Sequence, residues 1–319
     1  MEASNEQDTI KKVGKIIAVC ISEAKGTQKQ NIETCLLKCD WGLENDAHGG
    51  NWHRQVSLLS YDKVKKFNQC GASVSHGDFG ENLLVEGMDL AKLPLGTLLK
   101  CGAALLEITQ IGKECHSKCQ IYHKMGDCIM PREGIFAKVI QEGQVSIGDK
   151  VEITLSAAVV TLSDKRAMGQ RTDESGNILV EMLADAGYVV KSQILLPDEH
   201  LEIEKTLKEL SDNAKVQLIL TTGGTGLSPR DVTPEATLAV AERVVPGIGE
   251  AMRAYSMKFT PKAMLSRGVA VVRRRTLIVN LPGSPKAVRE ILEYILPTLK
   301  HGIEILCGFT DECGASANR

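Results

Sequence analysis

The sequence predicts two domains of different class: a mainly β first half at 1–155, and at 156–319 an α/β three-layer sandwich with a mostly parallel sheet. Three observations carry this. The chain has 319 residues, more than one core of ordinary size organises. Up to residue 155, short strand-like runs are separated by glycine-bearing turns at the spacing of a β-barrel or sandwich. Beyond 156, strands alternate with helices, which implies a parallel-dominated sheet covered on both faces.

In the first half the strand-like runs are 15–21, 56–59, 82–85, 97–100, 104–109 and 151–155. Gly49-Gly50, Gly77, Gly80, Gly87, Pro94-Leu-Gly96, Gly102 and Gly148-Asp149 punctuate them. One helix is predicted over 61–70, and 144–155 reads as a glycine-bounded hairpin closing the domain. The second half opens with a strand at 157–162 after almost no linker. A helix over 173–186 is stopped by Gly187, and a strand at 188–196 leads to a helix over 199–211. A strand at 216–221 is followed by helices from Pro234 and around 247–255. Strands at 268–273 and 276–281 then lead to Pro282-Gly-Ser-Pro285 and a helical tail interrupted at Pro297.

Residues 216–220, Val-Gln-Leu-Ile-Leu, are too short for a helix and rich in strand formers. They run into Thr221-Thr222-Gly223-Gly224-Thr225-Gly226, where missing Cβ atoms let backbone approach a ligand. No Gly-Lys-Ser/Thr follows, and the spacing is not the dinucleotide fingerprint, so neither a P-loop nor a Rossmann cofactor site is supported. Arg230 and Asp231 come next, then Thr233 as a helix N-cap with Pro234 at the first helical position. The glycines alone are also compatible with a plain strand-to-helix turn.

In a parallel sheet, ligands sit off the carboxyl ends of the strands. Four loops fall there: Ser163-Asp164-Lys-Arg166, Leu196-Pro-Asp198-Glu199, the 223–231 turn and Leu281-Pro282-Gly283-Ser284-Pro285. Asp198 and Asp231 suit a Mg2+ that bridges phosphates, since Mg2+ takes one or two protein carboxylates and leaves its other positions to water and phosphate oxygens. Helix capping is the other reading of Asp198. With only His200 and His301 in this half, no nucleophile–base pair is apparent. Phosphoryl or nucleotidyl transfer needs none when the acceptor is already an anionic phosphate.

The net charge of -2 and aromatic content of 4% argue against nucleic acid as a partner. No apolar run is long enough to span a bilayer, and residues 1–12 lack the apolar core of a signal peptide, so a cytoplasmic protein without membrane partners is expected. Its ten cysteines then read as reduced thiols. Eight of the ten cysteines and five of the seven histidines precede residue 150, which implies different chemistry in the two halves. Two constellations stand out in the first. Asp46, His48, His53 and Arg54 flank Gly49-Gly50; Lys113, Cys115, His116, Lys118, Cys119 and His123 follow the 104–109 strand. Cations near a thiol favour the thiolate, which attacks sulfur or binds a soft metal. Structural zinc on Cys115, Cys119, His123 and Cys128 is the rival reading.

Residues 42–59, His76-Gly-Asp-Phe-Gly-Glu-Asn-Leu-Leu-Val-Glu-Gly-Met-Asp-Leu90, Pro94-Leu-Gly96 and 109–115 resemble a MOSC domain, the β-barrel module related to the C-terminal part of molybdenum cofactor sulfurases. The resemblance spans roughly residues 14–155. It implies a cysteine that holds sulfur or contacts the molybdenum centre, placed at Cys115 with Cys119 as a second thiol, and pyridoxal phosphate binding among the properties of the kin. Ile194-Leu-Leu-Pro-Asp-Glu199, Thr221–Gly226, Arg230-Asp-Val-Thr-Pro-Glu-Ala-Thr-Leu238, Pro246-Gly-Ile-Gly-Glu250, Leu265-Ser-Arg267 and Leu277-Ile-Val-Asn-Leu-Pro-Gly-Ser-Pro285 resemble the MogA family of molybdopterin adenylyltransferases, to which MoaB is related. This second resemblance implies transfer of AMP from ATP to molybdopterin, with Asp198 and Asp231 as catalytic and metal-holding residues. Ser163, Asp164, Thr222, Gly223, Gly224, Thr225, Gly226, Arg230, Pro282, Gly283 and Ser284 would bind substrate. A homotrimer and onward partners, a molybdenum-insertion protein and molybdoenzymes, are also implied. Two alternatives are a non-catalytic molybdopterin carrier or scaffold, and a sulfur transferase centred on the first domain that acts on finished cofactor; the metal handled is molybdenum or tungsten.

Overall fold

A computed structural model describes residues 12–114 and 120–309. The chain divides into two compact units between Thr154 and Leu155.

The first unit contains β1 (Val13–Ile21), β2 (Gln30–Ile32), β3 (Thr34–Lys38), β4 (Gly42–Leu43), β5 (Val56–Ser60), α1 (Tyr61–Gln69), β6 (Leu83–Glu86), β7 (Leu98–Cys101), β8 (Ala104–Ile111), α2 (Gln120–Met125), α3 (Met130–Glu133), β9 (Ile135–Gln141), β10 (Gly143–Ser146) and β11 (Lys150–Thr154). Strands follow the order β11-β7-β8-β9-β5-β6-β1, and β1 returns to β11 through Val13↔Glu152, so seven strands close a barrel. Closure leaves no open edge in that ring. β5 and β6 run parallel, and every other neighbouring pair of the ring is antiparallel. All five residues of β5 are buried. Outside it, α1 lays Val64 and Phe67 on a cluster with Ala18, Leu59, Leu84 and Phe79.

Two expectations need correcting here. The stretch 144–155 is not a hairpin: β10 pairs with β3, while β11 pairs with β7 and β1. Gly148, at φ +96°, donates its amide to Ile16 and turns the chain away from β10. The barrel also contains a strand, β9, that the turn spacing does not announce, although Ile135, Phe136, Ala137 and Val139 are all buried.

The second unit contains β12 (Ser156–Leu162), α4 (Asp164–Ala167), α5 (Glu174–Asp185), β13 (Val189–Leu196), α6 (His200–Lys208), β14 (Leu218–Thr222), α7 (Thr233–Ala239), β15 (Arg243–Val244), α8 (Pro246–Ser256), β16 (Ala270–Arg273), β17 (Thr276–Leu281) and α9 (Pro285–Cys307). The sheet order is β13-β12-β14-β17-β16-β15. β13, β12, β14 and β17 are parallel, and β16 is antiparallel to both of its neighbours. Ala158, Val160, Leu162, Ile219 and Ile278 bury with Ile203 and Leu207 of α6 and Ala236 of α7. The alternate residues Ala157, Val159, Leu218, Leu220, Leu277 and Val279 are equally buried, on the side where α5 and α9 contact the strands and each other. This is the period-2 signature of a sheet buried on both faces.

α9 runs unbroken through Pro297, where the sequence suggests an interruption. Pro297 and Glu293, whose carbonyl loses its amide partner, are both exposed, so water can serve the carbonyl. Ile295, Leu296, Leu299 and Ile303, all buried, hold the helix straight across the break. No helix among the described residues is long and apolar enough to cross a membrane.

Candidate active site and barrel cavity

From β12 the chain passes to β13 on one side and then to β14 on the other, so the strand order reverses at β12 and opens a crevice at its carboxyl end. Backbone bonds join the four loops in two pairs there: Ser163 N donates to Leu196 O at 3.0 Å and Gly223 N to Leu281 O at 3.2 Å. The Thr222 hydroxyl donates to Pro282 O at 2.7 Å, a second tie within one pair, and Arg230 Nε to Asp164 Oδ2 at 3.1 Å links the two pairs. The crevice thus draws together the loops in which the sequence placed its second-half site residues.

The glycine turn is fixed from below. Gly223 has φ +104° and Gly224 φ +61°, and a Cβ on Gly223 would strike the carbonyl oxygen of Leu162. Thr233 does not cap α7, as its place before Pro234 suggested: Val232 occupies the cap position, and the Thr233 hydroxyl donates to Gly223 O at 3.0 Å. Thr233 N donates to Gly224 O at 3.2 Å. Among the described residues, the amides of Gly224, Thr225, Gly226 and Leu227 have no internal acceptor. A run of unpaired amides at the end of a buried strand is an oxyanion cradle.

The carboxylates converge on this turn. Asp198 does not cap α6; it exchanges bonds with Asp164, Asp164 N donating to Asp198 Oδ2 at 3.1 Å and Asp198 N to Asp164 Oδ1 at 3.0 Å. The other oxygen, Asp198 Oδ1, is buried without a hydrogen-bond partner, 3.0 Å from where a Cβ on Gly224 would stand. Burial pushes the Asp198 carboxyl up, the Asp164 amide opposes this, and the charges of Asp164 and Asp231 add to it. Asp231 Oδ2 accepts from Ser228 N at 3.0 Å and lies 2.8 Å from the Cβ position of Gly226. An orphaned buried carboxylate oxygen and a second carboxylate on the same turn fit a small hard cation whose remaining positions go to phosphate and water. Arg230 reaches across the crevice to Asp164, with Nε–Oδ2 at 3.1 Å and Nη2–Oδ1 at 2.9 Å, and to Glu199 at 2.8 Å. Its guanidinium holds the Asp164 carboxyl below the usual range.

Three residues here had no assigned role. Arg166 leans on Ser175 Oγ and Gly283 O at 3.4 and 3.5 Å, and its Nε is buried without a partner. Ser175 donates to Gly283 O at 2.9 Å, fixing the 282–284 loop. Arg267 donates to Gly226 O at 2.6 Å and to Asp231 O, and pairs with Glu235, so it braces both ends of the glycine turn. Arg166 and Arg267 lie within motifs visible in the sequence, but their targets are backbone carbonyls that no spacing reveals. Ser284 is exposed at the start of α9.

The barrel unit has a cavity of about 890 Å3 lined by Lys29, His48, Arg54, Gln55, Lys113, Cys128 and Phe136, among others. The structure keeps three members of the first constellation together, with His48 Nδ1 3.6 Å from Asp46 Oδ1 and both His48 and Arg54 on the cavity wall. Asp46 is buried, paired with Lys29, and accepts from Asn82 Nδ2 at 2.7 Å and Ser22 N at 3.2 Å. Burial works to raise its pKa, but the Lys29 and Asn82 donors prevail and hold it at about 2. His48 lines the cavity with Nδ1 3.1 Å from Ser22 Oγ, whereas His53 turns to Gln110 at 2.9 Å. Cys115 and Cys119, with His116 and Lys118, lie outside the described residues. Of the remaining zinc candidates, His123 is exposed on α2 and Cys128 is buried.

Residues 158–301 match the family model described as a probable molybdopterin binding domain, and residues 44–152 match the MOSC domain. The molybdopterin adenylyltransferase of Escherichia coli K12 is 48% identical over 143 residues, covering 44% of this chain and 73% of that protein. Gephyrin of Dictyostelium discoideum is 41% identical over 158 residues, 46% of this chain and 22% of its own length. Among solved structures, the molybdopterin biosynthesis enzyme MoaB of Thermus thermophilus shares 48% identity, covers 49% of this chain and 98% of its own, and gives a TM-score of 0.47.

Proposed function

This chain belongs to the molybdopterin adenylyltransferase family through its second unit and carries a MOSC domain ahead of it, and from that premise we propose that the second unit transfers AMP from ATP to molybdopterin in molybdenum cofactor biosynthesis. The observation that carries the reading is the orphaned Asp198 Oδ1 facing the glycine turn beside Asp231. A Mg2+ held by these two carboxylates would neutralise charge on the triphosphate as the bond to the leaving pyrophosphate breaks. The unpaired amides from Gly224 to Leu227 bind phosphate oxygens, and the rigid Thr233 and Arg267 contacts keep them aimed. Arg166, beside Gly283, is the cation placed to meet a second phosphate. Asp164 and Arg230 set the backbone of the Asp198 loop; neither needs to move a proton, because the acceptor is a phosphate monoester already ionised at neutral pH. Homotrimer formation and hand-over to an insertion protein belong to the same reading.

Pyrophosphate release with ATP, Mg2+ and molybdopterin tests it. Asp231→Asn and Asp198→Asn are expected to lower release by two or more orders of magnitude while the melting temperature stays within a few degrees. Near-normal turnover in Asp231→Asn overturns the assignment, and absence of turnover in the unsubstituted chain favours the carrier reading.

For the MOSC unit, the reading is a cofactor-binding barrel whose thiol Cys115, with Cys119 second, holds sulfur or contacts the metal. The support is the barrel cavity lined by Lys113, a cation two positions before Cys115 in the sequence. Lys29 is ion-paired to Asp46, and no step here uses pyridoxal phosphate. Cys115→Ser is expected to abolish persulfide detected by mass spectrometry while leaving pyrophosphate release unchanged. Stoichiometric zinc lost in that variant, together with unfolding of the barrel, would establish the structural-metal alternative.

A further inference from the structure

The sheet of the second unit turns polar as it approaches the crevice. On the face packed under α7, Ile219 of β14 and Ile278 of β17 are buried in the apolar cluster. Two residues further along, the same face carries Thr221 and Asn280, which stand opposite each other in the β14–β17 register. Thr221 and Thr237 of α7 are fully buried, and Asn280 is 1% exposed. Asn280 uses its whole side chain: Nδ2 donates to Thr221 Oγ1 and to Thr237 Oγ1, both at 2.9 Å, and Oδ1 accepts from Val269 N at 3.3 Å. One buried amide group thus joins β14, α7 and the residue that leads into β16.

Stability alone does not call for this network, because apolar groups of the same shape in place of hydrogen-bonded partners are nearly neutral for stability. What apolar packing lacks is direction: satisfied hydrogen bonds fix the rotation and depth of α7 on the sheet, where side chains of similar volume would let it slide. Direction matters because of what else α7 holds. Thr233 lies one helical turn before Thr237 on the same face; its hydroxyl donates to Gly223 O at 3.0 Å and its amide to Gly224 O at 3.2 Å. On the strand side, Thr222, next to Thr221, donates to Pro282 O. Asn280 itself lines a cavity of about 290 Å3 together with Thr225, Gly226 and Pro282. The glycine turn and the 282–284 loop are therefore both referred to the same buried amide.

We propose that Asn280, acting through Thr221 and Thr237, is a positioning residue for the glycine turn. It seats α7 on the sheet so that Thr233 holds Gly223 and Gly224, and the unpaired amides of residues 224–227 stay aimed at substrate phosphate. None of the three side chains needs to touch a ligand. Donors of this kind act only when their geometry is set beforehand, and a misplacement of about 1 Å costs on the order of 100-fold in rate. The inference rests on the adenylyl-transfer reading of the crevice.

The test uses the full-length chain at a temperature well below its melting point. Thr237→Val keeps the volume and removes the acceptor, so kcat for pyrophosphate release at saturating ATP, Mg2+ and molybdopterin is expected to fall by about tenfold or more. Thr237→Ser keeps the hydroxyl and should stay within about threefold of the parent, a rescue that a merely space-filling role would not produce. Thr221→Val removes the other acceptor, should act in the same direction, and carries the test if Thr237→Val does not fold. Turnover of Thr237→Val at the parent rate, or an equal loss in Thr237→Ser, would overturn the proposal. A parent chain that releases no pyrophosphate would remove the transfer reading instead. Titration calorimetry with Mg2+ and α,β-methylene-ATP, which cannot be cleaved between those two phosphates, then decides the role of Asn280. Binding weaker by about fivefold or more in Thr237→Val than in Thr237→Ser supports it, and equal binding removes it.

Discussion

At the scale of single residues, the three glycines of the turn are not equivalent. Gly223 and Gly224 hold positive φ, and a Cβ would strike Leu162 O in one case and the Thr233 hydroxyl in the other, so alanine there costs about 1–3 kcal/mol of fold stability as well as ligand affinity. Gly226 carries no such backbone demand, and its Cβ would meet only Asp231 Oδ2, at 2.8 Å. Gly226→Ala is therefore the cleaner probe: we expect pyrophosphate release to fall at least tenfold with a melting temperature within a few degrees of the parent. Equal losses of activity and stability would mean that the turn is structural first. The sequence makes all three glycines visible but not their division of labour, because φ and the neighbour across the crevice are set by the strands that converge there. Asp198 makes the same point. Its place after Leu196-Pro197 is compatible with a helix cap, and the exchange of bonds with Asp164, 34 residues away in the chain, decides against it.

At the scale of elements, α9 is the informative case. A proline in a helix interior removes one hydrogen bond and costs about 3 kcal/mol relative to alanine in an exposed host. Here the lost bond falls on the solvent side while the opposite face buries Ile295, Leu299 and Ile303. Pro297→Ala should accordingly stabilise the second unit by about 1–3 kcal/mol, read as a higher denaturation midpoint with unchanged slope. A lower midpoint would show that the residue is needed for the packing of α9. Residues 144–155 present the reverse situation: glycine and aspartate at the turn suggest a hairpin, but a hairpin requires that the two arms pair with each other, and β3 and β7 take those edges. Local turn chemistry is legible in a sequence; the choice of pairing partner is not.

At the scale of the whole molecule, each unit carries its own apolar cluster, so calorimetry of the full chain should resolve two transitions. The barrel transition carries a pH signature. Burial pushes the Glu81 carboxyl up from 4.5 to about 7, although the amides of Gly77 and Phe79 donate to it. Between those values the folded barrel holds a proton that the unfolded chain releases, so this contribution is fully present below pH 4.5 and is lost as pH rises through 7. Glu81→Gln should flatten the slope of the barrel transition between about pH 5 and 7 and leave the other transition unmoved; an unchanged slope would mean that the amides hold Glu81 ionised. The sequence by itself determined the class of each half, the boundary region and the four loops at the strand ends, because strand and helix periodicity and glycine-rich turns are local properties of the chain. Only the tertiary structure decided which Asp198 oxygen is left without a partner, that Arg166 and Arg267 brace the crevice, and that Asp46 is spent on Lys29. Those outcomes depend on which residues from distant strands exclude water together, and burial of that kind is a property of the assembled fold.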